Sequence, residues 1–108
     1  MAWVYLDDQF PDHPKVVAAG GDAAWLFVSM LCYARRFATE GFIPDAQITR
    51  LTDRRSPRRL AQKLVSVGLL HLSDGGWTIH DYADWNKPAT TRSEAGRKAA
   101  AARWSKDA

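Results

Sequence analysis

The chain has 108 residues, a formal net charge of +3 and an apolar fraction of 46%; this suits one small domain with its own core and excludes most multi-domain architectures. A single cysteine, Cys32, excludes an internal disulfide framework and a thiolate-rich zinc site. The longest apolar run, residues 23–34 broken once by Ser29, falls short of the ~20 residues that span a bilayer, and the first residues lack a basic segment followed by an apolar one, so the expectation is a cytoplasmic protein with no membrane partner.

The N-terminal Trp3-Val4-Tyr5-Leu6 is rich in β-formers and reads as a short strand. A polar connection leads to a brief helix over Pro14–Ala19, with proline in its first turn and Gly20-Gly21 after it. Asp22 is a suitable N-cap for a long helix over residues 23–39. Its apolar side chains, including Trp25, Leu26, Phe27, Met30 and Leu31, cover more than half its circumference, which predicts a central helix buried on most sides with Trp25 in the core. Cys32 on the same helix reads as a small hydrophobe rather than a nucleophile. After Gly41, Phe42-Ile43-Pro44 predicts a very short strand. Asp45 then caps a short helix over residues 46–51.

Residues 52–55 form a turn. Ser56-Pro57 is a serine N-cap followed by proline at the first helical position, and it opens a helix running to about Val67 with Gly68 as its stop. Leu60, Leu64 and Val67 recur at i, i+4 and i+7 with Ala61 beside them, leaving Arg58, Arg59, Gln62, Lys63 and Ser66 on the opposite face. Residues 69–72 and 77–80 are strand-like around Ser73-Asp74-Gly75-Gly76, the pattern of a β-hairpin. Residues 81–85 continue irregularly. Asn86-Lys87-Pro88 breaks the chain, dividing a domain over residues 1–88 from a basic, alanine- and arginine-rich tail over 89–108 with helical propensity. Trp3 and Trp77 are expected to pack where the N-terminal strand meets the hairpin, with Trp85 covering the same layer; Trp104 either docks on the domain, a second subunit or a partner, or lies in a disordered tail. Buried positions are expected to include Trp25, Leu26, Leu31, Leu51, Leu60, Leu64 and Val67.

The order of elements, helix, strand, short helix, turn, helix, hairpin, is that of a winged helix-turn-helix. The predicted fold is therefore α+β: three main helices and a C-terminal hairpin wing, with a short N-terminal strand and the basic tail. Charge follows the same map. Residues 50–63 sum to +5 and residues 86–106 to +5, whereas residues 1–49 and 64–85 each sum to −3. Such concentration is the footprint of a polyanion binder. Arg54, Arg55, Arg58 and Arg59 lie in and before the first turn of helix 56–67, where the helix dipole disfavours cations by several tenths of a kcal/mol each, roughly. An anionic partner removes that repulsion, and the helix N–H groups add to its binding. Arg58, Arg59 and Gln62 suit base edges in the major groove, arginine pairing with guanine and glutamine with adenine. Arg50, Arg54, Arg55, Ser56 and Lys63 suit the phosphate backbone, and Arg97, Lys98 and Arg103 extend the footprint. The competing reading pairs the arginines with Asp53, Asp45 or Glu40 on a solvated surface. The hairpin tip, with Asp74 and no basic residue, adds little attraction for phosphate.

Three segments carry a resemblance: Trp3-Val4-Tyr5-Leu6-Asp7-Asp8-Gln9-Phe10-Pro11-Asp12-His13-Pro14-Lys15-Val16, Gly41-Phe42-Ile43-Pro44, and Leu64-Val65 through Gly68-Leu69-Leu70 followed by Gly76-Trp77-x-Ile79-His80-Asp81-Tyr82-x-x-Trp85-Asn86. They resemble small helix-turn-helix proteins of actinobacterial phages and prophages, over residues 3–88. Similar winged helices form the N-terminal domains of phage replication-initiation and replisome-organiser proteins. The resemblance implies binding of double-stranded DNA in transcription regulation or DNA replication. The tail after residue 88 is too short for a helicase-recruiting domain, which favours a stand-alone protein. The alternative is a phage protein that uses the same fold to occupy a host protein, and a homodimer is a further candidate assembly.

No other chemistry has positive support. His13, His71 and His80 with Asp81 and Asp84 match no usual metal spacing, and His80 and Asp81, adjacent on a strand, are expected to point to opposite faces. His80-Asp81-Tyr82 is expected to tie the hairpin to the N-terminal segment. No nucleophile elbow or glycine-rich phosphate loop is present. The expectation is therefore neither an enzyme nor a cofactor protein.

Overall fold

A computed structural model describes residues 3–85. The 3-10 turn Phe10–Asp12 leads into α1 (Pro14–Ala19), α2 (Gly21–Phe37) and β1 (Phe42–Pro44). A second 3-10 turn, Asp45–Gln47, runs into α3 (Ile48–Leu51), followed by α4 (Pro57–Ser66), β2 (Leu70–Ser73), β3 (Gly76–Ile79) and α5 (Tyr82–Trp85). The class is α+β, with five helices among the described residues rather than three main ones. The expected break at Asn86-Lys87-Pro88 and the tail with Arg97, Lys98, Arg103 and Trp104 lie outside the described residues.

α1 has the predicted bounds. Pro14 occupies its first turn and the His13 ring caps it, Nδ1 accepting the Lys15 N–H at 3.1 Å. Gly20, at φ 89°, turns the chain and serves as N-cap of α2. The long helix therefore starts at Gly21, not residue 23. Asp22 is not its cap but lies in its first turn, where a carboxylate suits the helix dipole. Ala38 caps the helix in the left-handed conformation, φ 52°, so that it ends at Phe37, two residues before the expected end.

The sheet is antiparallel with strand order β1-β3-β2. Ile43 sits opposite Trp77, and Leu70 opposite Ile79. At Gly76 the backbones of β3 and β1 approach so closely that a Cβ would run into the Ile43 carbonyl oxygen; only glycine fits there. The N-terminal Trp3-Val4-Tyr5-Leu6 forms no strand. It lies beside α2, its Trp3 carbonyl accepting a hydrogen bond from Arg35 Nε at 3.2 Å. Its β-formers find no pleated surface to pair with, and that fit is what β propensity measures.

α2 crosses the core and packs on α1, α3, α4 and β1. Its buried face, Ala23, Leu26, Phe27, Met30, Leu31 and Ala34, meets Ala61 and Leu64 of α4 and the sheet residues Ile43, Trp77 and Ile79 in one cluster. Leu26, Leu31 and Leu64 are buried as expected; Leu51, Leu60 and Val67 are half-buried at the edge. Trp25 is not in the core: it is 58% exposed, on the outward side of α2. Trp3 is 67% exposed and does not pack with Trp77. The aromatic layer forms instead from Phe10, Phe27 and Trp85. Phe27 stacks on Phe10 with ring centroids 6.1 Å apart, and Trp85 meets Phe27 edge-on at 5.2 Å.

Residues 81–85, expected to be irregular, turn at Asp81 (φ 54°) into α5. Tyr82 covers Gly41, where a Cβ would come within 2.8 Å of the Tyr82 Cβ. Burial raises the Tyr82 phenol above its ordinary value, against the lowering effect of Arg35 and with a further push from Glu40.

Candidate nucleic-acid interface

The turn between α3 and α4 is held by Thr52, whose hydroxyl accepts the Arg54 N–H at 3.1 Å. Ser56 is the N-cap of α4, as predicted, and Pro57 follows it. Ser56 is, however, left-handed (φ 57°, ψ 56°), and its side chain makes no capping hydrogen bond. The first turn of α4 also carries no acidic residue. The positive end of this helix is therefore neither capped by a side chain nor neutralised in its own first turn.

Leu64 and Ala61 fix the rotation of α4 by turning into the core. The opposite face follows: Arg58, Arg59, Gln62, Lys63 and Ser66 are all exposed, as the periodicity predicts. Arg54, Arg55 and Ser56 before the helix are exposed too, as is Arg50 at the end of α3. All the candidate contact residues between Arg50 and Lys63 are thus exposed, on α4, on the turn before it or at the end of α3. Arg97, Lys98 and Arg103 lie outside the described residues.

Within this region the cations divide. Arg58 grips Asp45 with a fork: Nε lies 3.1 and 3.0 Å from the two carboxylate oxygens and Nη2 lies 2.8 Å from Oδ2. The Asp45 Oδ1 also accepts the Trp77 Nε1–H at 3.3 Å. These bonds, the arginine's first, hold the Asp45 carboxyl below its ordinary value, and Asp45 in turn raises the Arg58 guanidinium. Asp45 therefore does not cap the helix after it; Pro44 is the N-cap position of the 3-10 turn. Arg54 makes looser pairs, 3.5 Å from Asp53 and 3.7 Å from Asp22, with all three side chains largely exposed. Arg50, Arg55, Arg59 and Lys63 have no ion pair among the described residues.

Sequence reasoning missed the Asp45–Arg58–Trp77 bridge, although Asp45 stood among the acids available to the arginines. The signal was topological: antiparallel pairing of Ile43 with Trp77 carries Asp45 beside both the hairpin and the start of α4.

The histidines meet differently from expectation. His71 Nε2 and His80 Nδ1 are 2.7 Å apart across the hairpin, and His80 Nε2 lies 3.3 Å from Asp81 Oδ2. His80 and Asp81 do not point to opposite faces, because Asp81 leaves the strand with a positive φ. His80 thus ties the hairpin to itself and to the start of α5. Among the described residues, no group of three or more His, Cys, Asp or Glu side chains could hold a metal ion, and no helix is long and apolar enough to cross a membrane. Cys32 is half-buried. Comparisons with protein-family models, with curated proteins and with solved structures find no match to this chain.

Proposed function

We propose that the chain is a winged-helix protein that binds double-stranded DNA, with α4 as the helix laid into the major groove. The connectivity supports the fold. A helix, a strand, two helices joined by a short turn and a hairpin follow in order, and β1 closes the sheet beside β3. The observation that carries the function is the set of exposed cations on and before α4: Arg55 and Arg59 at its start, Lys63 in its last turn and Arg50 at the end of α3, without acidic partners among the described residues, and Arg54 only loosely paired. DNA phosphates would supply the missing negative charge. Arg59 and Gln62 are the residues for base edges; Arg58, committed to Asp45, orients α4 rather than reading a base. Arg50, Arg54, Arg55, Ser56 and Lys63 serve the phosphates. The tip, Asp74-Gly75, is exposed and not basic, so affinity rests on α4 and the turn before it. This accords with a role in phage-type transcription or replication control in the host cytoplasm.

The test is titration of arbitrary duplex DNA at two salt concentrations. Binding should weaken steeply as salt rises, and Arg54→Ala or Arg55→Ala should each lower the salt slope by about one unit. Weak binding that vanishes near physiological salt for wild type and variants alike would sink the proposal and favour a protein partner.

A further inference from the structure

α2 has a second face that the core uses only at its edge, where Val28 packs partly against it. With about 100° between successive residues, Trp25, Val28, Ser29 and Cys32 fall on the side opposite the buried Ala23, Phe27, Met30 and Ala34. Trp25 is 58% exposed, and Val28, Ser29 and Cys32 are half-buried. Residues 23–34 contain no charged side chain, so the outward stripe is apolar or neutral along its whole middle. Its ends are charged and opposite. Exposed Asp22 stands at the N-terminal end and exposed Arg36 at the C-terminal end. A solvent-facing helix surface ordinarily carries its polar residues there, and an uncharged stripe with a tryptophan at its head marks a contact surface.

The arrangement of charge selects the occupant. We infer that this face binds the same face of a second copy of the chain, with the two α2 helices antiparallel. A two-fold interface requires self-complementarity: residue i must meet j, and j must meet i. Asp22 and Arg36 are equally far from Ser29, about 10 Å on either side along the helix. Antiparallel pairing centred on Ser29 therefore sets Asp22 of each copy against Arg36 of the other, at both ends at once. A parallel pairing sets like charges together. The same register brings Trp25 over the stretch around Cys32 and Tyr33 of the other copy. Ser29, small and uncharged, lies at the two-fold axis, where the helices must come closest. The Asp22 contact with Arg54 in its own chain, at 3.7 Å between exposed groups, is loose enough to yield. One helix face lies at the small end of interface sizes, below roughly 1,200 Å² in total, so the dimer should form at high protein concentration and dissociate on dilution. This inference does not depend on DNA binding.

The experiment is sedimentation of the full chain over a range of concentrations, together with a positional cross-link. Wild type should show a reversible monomer–dimer equilibrium. Trp25→Lys should remain monomeric, with a cooperative thermal melt showing that it folds. Ser29→Cys in a Cys32→Ser background should cross-link into a covalent dimer under mild oxidation. Native Cys32 should not, because the two copies of residue 32 stand about 9 Å apart along the helices in this register. Asp22→Arg should weaken the dimer, and adding Arg36→Asp should restore it. A chain that stays monomeric at every concentration overturns the inference. So does a dimer that survives Trp25→Lys, and so does a Cys32 cross-link that forms as readily as the one at position 29.

Discussion

The outward faces of α2 and α4 are both turned to solvent, and their chemistry is opposite. On α4 the face is basic and polar, with Arg59, Gln62 and Lys63 exposed behind a start that lacks a side-chain cap. On α2 it is uncharged between Asp22 and Arg36, with Trp25 standing out. The buried sides of the two helices join one core, where Leu64 of α4 belongs to the same cluster as Leu26, Met30 and Ala34 of α2. The fold thus fixes two helices in one apolar cluster and offers solvent two surfaces of different chemistry. Exposure by itself identifies neither partner. What distinguishes them is the driving force each would supply on contact: counterion release for cations that meet a polyanion, and hydrophobic gain for a tryptophan leaving water.

The largest effect tests the shared core. Leu64→Ala should destabilise the domain by about 2–5 kcal/mol, because it opens a cavity at a fully buried site. Trp25→Ala, measured where the chain is dilute, should change stability by no more than about 0.5 kcal/mol. Denaturant unfolding of the two variants side by side checks the contrast; comparable losses would mean that the outward face of α2 is packed after all.

Arg59→Ala comes next. On a preferred duplex it should cost ~1–3 kcal/mol of affinity and relax discrimination at one base position. Arg58→Ala should behave differently: some loss on all duplexes through a less firmly held α4, with base preference kept. Binding selections with the two variants separate these roles. Relaxed preference in Arg58→Ala and not in Arg59→Ala would reverse the assignment.

The smallest effect tests the support beneath α4. The Asp45 carboxyl titrates below its ordinary value in the folded chain, first because of the Arg58 fork and then because of the Trp77 N–H. Its contribution is therefore complete above the ordinary carboxylate pKa of about 3.9. It fades as pH falls through the lower folded value. Asp45→Asn removes the dependence, so the wild-type and variant unfolding midpoints should differ near pH 6 and converge as pH falls below the ordinary carboxylate range. Curves that run parallel to the acid end would show that the fork adds nothing to the fold.

The same comparison explains what the sequence could disclose. α4 is amphipathic, and the i, i+4, i+7 spacing of Leu60, Leu64 and Val67 told which way Arg59 and Lys63 face. The hairpin, β1 and α1 were legible from turn residues and short apolar runs. α2 is apolar around more than half its circumference, so periodicity does not distinguish its inner from its outer side, and the expectation of Trp25 in the core rests on a helix buried on most sides. The fates of Trp3, Asp45 and His80 were hidden for another reason. Each depends on a partner distant in sequence: Arg35 for Trp3, Arg58 and Trp77 for Asp45, and His71 for His80. No local pattern encodes such pairings. Those of Asp45 follow only once β1 is laid against β3.

That last pairing has a kinetic consequence. β2 and β3 are joined by a tight turn, whereas Pro44 reaches Gly76 only by closing a loop that contains the whole of α3 and α4. Chain entropy makes the longer closure dearer by about 2 kcal/mol, and contacts of long sequence separation form late. The hairpin and α4 should assemble first and β1 should join last, a hypothesis that predicts low φ-values for substitutions at Ile43 and high ones within the hairpin. High φ-values at Ile43 would refute it. Because the Asp45 bridge forms with the same closure, α4 acquires its final orientation only when the earliest strand in the chain arrives. The site proposed to read DNA is then among the last parts of the molecule to become fixed, and among the first to loosen when β1 lifts away.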